Sequence, residues 1–110
     1  MDDVSTQLRK GSLELAVLAL VSTEPRYGAD IVESLAARPG LEATSGTIYP
    51  LLTRLKNAGL VNTEWHESPS GPPRKYYTLS TAGRRQLGAQ RTAWRRLSTA
   101  MDALLKENPA

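Results

Sequence analysis

Arg54, Lys56, Arg74 and Lys75, with Thr53 and Asn57 beside the first two, are the side chains of this 110-residue chain whose types and spacing could do chemistry. That chemistry is recognition of a polyanion. Between Ser45 and Arg96 nine Lys and Arg stand against only Glu64 and Glu67, whereas the remainder carries five cations against nine carboxylates. A basic segment in a chain of net charge +3 suits phosphate neutralisation, because each neutralised phosphate releases condensed counterions. A solvated basic surface would show the same charge, so the reading needs a geometry behind it. Catalysis finds little support. His66 is the one histidine and reads as a surface residue, Cys is absent, and the carboxylates form no pair on one face. No glycine-rich phosphate loop follows a strand. We therefore expect no catalytic residue, metal site or cofactor.

The same composition bounds the setting. The length suits one domain, and with no Phe its core must be built from Leu, Val, Ile and Ala. Residues 15–21 form the longest apolar run, well short of the ~20 residues of a membrane helix. Met1 leads into Asp2 and Asp3, unlike a secretion signal, and the lack of Cys suits a reducing compartment. The expected location is the bacterial cytoplasm, on the nucleoid when bound to DNA.

The elements that must position the cations can be traced along the chain. Residues 8–21 are apolar on almost every side, which predicts a helix covered from several directions, with a partner as the expected cover in so small a chain. Residues 24–28 read as a breaker. Gly28, Ile31, Val32, Leu35 and Ala36 then recur on one helical face, up to a stop near Arg38. Ile48, Leu51, Leu52 and Leu55 write a third helix closed by Gly59. Its start is either Thr44, a good N-cap that places Pro50 inside the helix, or Pro50 itself. Residues 60–67 alternate as a strand, with Trp65 read as hairpin packing. Residues 68–73 read as a turn and 74–79 as a second strand. Ser80 caps a last helix running to about Glu107. In it Leu87, Trp94 and Met101 repeat every seven residues, and Gln90, Leu97 and Leu104 follow three behind each.

Helix, helix, turn, helix and hairpin is the order of a winged helix-turn-helix, so the expected fold is mainly α with a small β-hairpin (α+β), a winged helix-turn-helix plus a long C-terminal helix, dimeric. Residues 1–79 would bind DNA and 80–110 would dimerise. With Ile48, Leu52 and Leu55 inward, the opposite face of the third helix presents Gly46, Pro50, Thr53, Arg54 and Asn57, with Tyr49 and Lys56 on the flanks. Arg54 could fork onto guanine, Thr53 and Asn57 could hydrogen-bond base edges, and Lys56 would meet phosphate. Backbone N–H groups around Thr44, Ser45 and Gly46 could hold a phosphate oxygen. Arg74 and Lys75 would form a wing touching the backbone or minor groove, although charge on an edge strand also guards against aggregation. The rival from another class is a winged-helix module that docks onto protein and never touches DNA.

At these residues the chain resembles the PadR-like family of transcriptional regulators, in its small subfamily with a single C-terminal helix. The resemblance runs through residues 8–15, Tyr27-Gly28, Gly46-Thr47-Ile48-Tyr49-Pro50-Leu51-Leu52, Arg54-Leu55 and Gly59-Leu60. It resumes at residues 71–77, Leu79-Ser80 and Gly83. It implies Thr44 as the start of the third helix, and it adds Tyr27 and Thr47 to the DNA contacts. It further implies a homodimer that represses transcription from a pseudo-palindromic double-stranded DNA operator, held together by the first and last helices. The interface residues would be Leu13 and Val17 with Leu87, Gln90, Trp94, Leu97, Met101 and Leu104. Some members of this subfamily take flat hydrophobic effectors at the dimer centre against a tryptophan of the last helix, and Trp94 occupies that place. The default reading of Trp94 is interface packing.

Overall fold

The computed structural model describes residues 11–110. Among them are four helices, α1 (Leu13–Thr23), α2 (Gly28–Ala36), α3 (Ser45–Asn57) and α4 (Thr81–Glu107), and three strands, β1 (Arg26–Tyr27), β2 (Val61–Ser68) and β3 (Gly71–Leu79). The strands form one antiparallel sheet in the order β1-β3-β2. This is the α+β winged-helix arrangement with a long last helix. The first part of the predicted opening helix, residues 8–10, lies outside the described residues.

One apolar core gathers every element except the two-residue β1. Val17 and Leu18 of α1, Ile31 and Leu35 of α2, Ile48, Leu52 and Leu55 of α3, Val61 of β2, Leu79 of β3 and Leu87 of α4 are all buried in it. No residue from Ser12 to Ser22 is fully exposed, so α1 is the central helix of the protomer. Much of the cover expected from a partner is thus supplied within the protomer, with Leu15, Ala16 and Ala19 left partly buried. The hydrophobic pattern reports that a helix is covered, and here the chain's own α2, α4 and sheet do the covering.

Two joints fix α3 and α4. At the end of α3, Gly59 takes φ +76°, which a side chain would disfavour. The Gly59 N–H then donates to the Lys56 carbonyl and the Leu60 N–H to the Leu55 carbonyl, each at 3.0 Å, closing the helix in a Schellman motif. The helix ends at Asn57 and Ala58 is its cap, so Gly59 sits one residue past the cap. At the start of α4 the Ser80 hydroxyl accepts from the Gly83 N–H at 2.9 Å and donates to the Gly59 carbonyl at 2.6 Å. One serine thereby ties the exit of α3 to the entry of α4.

The sheet departs from expectation in two ways. Arg26 and Tyr27, read as part of a breaker, pair with Tyr77 and Tyr76 as a two-residue strand. So short a strand carries no periodic signal, and only the exposed edge of β3 makes it one. The turn is also shorter than six residues. Pro72 and Pro73 follow Gly71 inside β3, opposite the irregularity between His66 and Ser68 where the ladder needs no regular donor.

Candidate nucleic-acid interface

The α3 helix begins at Ser45, with Thr44 extended as its N-cap, and Pro50 is accommodated inside it. The Thr44 carbonyl accepts from the N–H groups of Thr47 and Ile48, each at 3.0 Å, while its hydroxyl lies 3.4 Å from that of Thr47 and takes no backbone N–H. Ile48, Leu51, Leu52 and Leu55 are buried. Ser45, Gly46, Thr47, Tyr49, Pro50, Thr53, Arg54, Lys56 and Asn57 are exposed. One helix thus presents a continuous polar face, and the 3.6-residue period suffices to produce it.

Individual side chains on that face are less free than the pattern suggests. The Thr53 hydroxyl donates to the Tyr49 carbonyl one turn back, at 3.2 Å. Arg54 makes an ion pair with Glu14 of α1 at 3.1 Å, a contact that no local pattern indicates. Tyr49 lies against Gly28 so closely that a Cβ there would stand 2.4 Å from the ring, which explains why the second helix begins with glycine. Tyr49 also acts on Tyr77, whose phenol is pushed above its usual range by burial and by the neighbouring Tyr49.

On the wing, Arg74 and Lys75 are consecutive residues of β3 and so point to opposite faces of the sheet. The Arg74 guanidinium stands 4.5 Å from the centroid of the Tyr27 ring. Tyr27 meets Tyr76 edge to face at 5.4 Å, and His66 stacks on Tyr76 at 4.6 Å while bonding Glu64 at 2.9 Å. Arg74 therefore belongs to an aromatic ladder on the outer face. Lys75 lies on the face that carries Tyr77, 5.8 Å from its ring centroid, the same face through which Val61 enters the core. The pleat sends the two cations to opposite faces of the hairpin, so they do not project side by side as expected. Trp65, opposite Lys75, is 69% exposed and stands outside the core, so little of it is buried by the hairpin packing expected of it.

The last helix divides in two. Leu87 is buried in the protomer, and Gln90 is half-buried and donates to Glu14. Beyond them Trp94, Leu97, Met101 and Leu104 are all exposed on one apolar stripe, joined by Leu105, which the heptad reading missed. Leu13, Val17 and Leu87, expected at a dimer interface, have almost no surface left to bury there. They are core residues because the winged domain itself packs against the first two turns of α4. Beside Trp94 a recess of about 190 Å³ is lined by Gly11, Ser12, Leu15, Gln90, Ala93 and Leu97.

Comparison with known proteins agrees with this geometry. The Transcriptional regulator PadR-like family matches residues 17–89. Solved structures similar to the chain include a PadR-like transcription factor from Bacteroides fragilis (44% identity, TM-score 0.74, covering 94% of this chain and 99% of that one). A PadR family regulator from Eggerthella lenta is 38% identical, with TM-score 0.81 and coverage of 93% and 88%. A PadR-like regulator from Bacillus cereus is 34% identical, with TM-score 0.83 and coverage of 90% and 96%.

Proposed function

The chain belongs to the PadR-like family of transcriptional regulators, and from that premise we propose that it represses transcription as a homodimer bound to a pseudo-palindromic operator. In this reading residues 1–79 recognise DNA and residues 80–110 dimerise. The observation that carries it is the pairing of two unlike surfaces on one protomer. One is the exposed polar face of α3, on a protomer whose hairpin carries the cations Arg74 and Lys75. The other is the apolar stripe from Trp94 to Leu104, which the protomer leaves in solvent. A major groove accepts a helix face of the first kind, and a second copy of a helix covers a stripe of the second kind. Thr53, Arg54 and Asn57 read base edges, while Thr44, Ser45, Gly46, Thr47, Tyr49, Lys56 and Lys75 meet the backbone.

Selection of bound sequences from random duplexes tests the proposal. A recovered palindrome with half-sites about one helical turn apart (~10 base pairs) is expected, with affinity falling steeply as salt rises. Lys75→Ala should weaken all duplexes alike and reduce the salt slope by about one. No binding to any duplex at low salt would favour the protein-docking module instead.

We further propose that Trp94 forms one wall of an effector site. The recess beside it is smaller than the ~300–1,000 Å³ of most ligand pockets, so two copies facing each other would be needed to enclose a flat aromatic molecule.

A further inference from the structure

We propose that Glu14 is a latch that holds Arg54 of the reading helix and answers to the position of α4. The inference rests on the reading of α3 as the DNA-contacting helix. The Glu14 side chain is 23% exposed and divides its two carboxylate oxygens between distant parts of the chain. Oε1 accepts from Arg54 Nη1 at 3.1 Å, and Oε2 accepts from Gln90 Nε2. One carboxylate thus joins the central helix, the reading helix and the last helix.

The arrangement opposes DNA binding for two reasons. Arginine reads guanine by presenting two N–H groups in its plane, whereas Arg54 meets Glu14 through one nitrogen and is drawn toward α1, to the flank of α3 that also carries Thr47 and Leu51. The carboxylate also cancels the positive charge that phosphates would meet. Arg54 is otherwise 65% exposed, so it can leave Glu14 at small cost. Gln90 sets the strength of the hold. It grips the far oxygen of Glu14 and also lines the recess beside Trp94 and Leu97, so a shift of α4 alters the carboxylate that Arg54 must leave.

Titration of the full-length protein on a selected duplex at fixed salt tests this, with thermal unfolding to verify each variant. Glu14→Gln keeps the size of the side chain and removes its charge. It should bind about two- to five-fold tighter, the range expected for a partly exposed ion pair. The gain should vanish when Arg54 is already Ala, and Gln90→Leu should give a smaller gain that also vanishes with Arg54→Ala. A gain that persists with Arg54→Ala would mean plain charge removal, and unchanged or weaker binding by Glu14→Gln would mean no latch; either overturns the proposal. If the wild type binds no duplex at all, the failure lies in the DNA-binding reading and not in the latch.

Discussion

Single residues in this protein act by contacts that their sequence neighbourhood does not suggest. Arg54 pairs with Glu14, forty positions away, and Arg74 lies over the Tyr27 ring. Each contact takes a cation that the charge pattern marks for DNA and gives it a second partner. Trp94 and Trp65 are the converse case, two large side chains left in solvent. Trp65→Phe leaves Trp94 as the sole tryptophan, and in that background a planar aromatic compound should quench its fluorescence saturably. Trp94→Ala should weaken binding of the same compound at least ten-fold by calorimetry, about 1.4 kcal/mol; equal affinity in the two proteins would remove Trp94 from any effector site.

At the scale of elements, the joints decide more than the helices. The polar face of α3 follows from its period, but its direction depends on the Schellman closure at Gly59 and on the Ser80 link to α4. Gly83 completes that link, since a Cβ there would stand 2.0 Å from the Leu60 carbonyl oxygen, a backbone atom that cannot step aside. Gly83→Ala should lower stability by roughly 1–3 kcal/mol, as overpacking commonly does, read as an earlier denaturant midpoint at similar slope. A Gly88→Ala control, where nothing lies within 4 Å, should be neutral or slightly stabilising. The winged unit was mostly legible in the sequence because its helices are periodic and its caps are local. The short β1 and the placement of Pro72 and Pro73 were not, because a strand of two residues or a proline pair acquires its role from the neighbour it pairs with.

The whole molecule is elongated, 54 Å along its long axis against 31 and 21 Å. A helix of 27 residues spans ~40 Å, and the winged domain covers only its first turns. The uncovered part carries Trp94, Leu97, Met101, Leu104 and Leu105. Leu97 is 57% exposed in the protomer, so Leu97→Asp should leave the fold intact and reduce both self-association and operator binding more than ten-fold. Sedimentation and a shift assay on the same samples check this. A variant that remains dimeric and binds as well as wild type would show that the stripe is not the dimer interface.

The sequence by itself determined the order of elements, the polar face of α3 and the apolar repeat of α4, because helical period and capping act over a few residues and leave their mark in residue types. Only the tertiary structure decided how those surfaces are allotted. An apolar position looks the same whether its own domain or a second copy covers it. So Leu13, Val17 and Leu87 proved to be core, while Trp94 to Leu104 remained uncovered. In the same way Arg54 and Lys75 look alike as cations. Packing of α1 against α3 gave Arg54 its carboxylate, and the pleat of β3 turned Lys75 to the opposite face from Arg74.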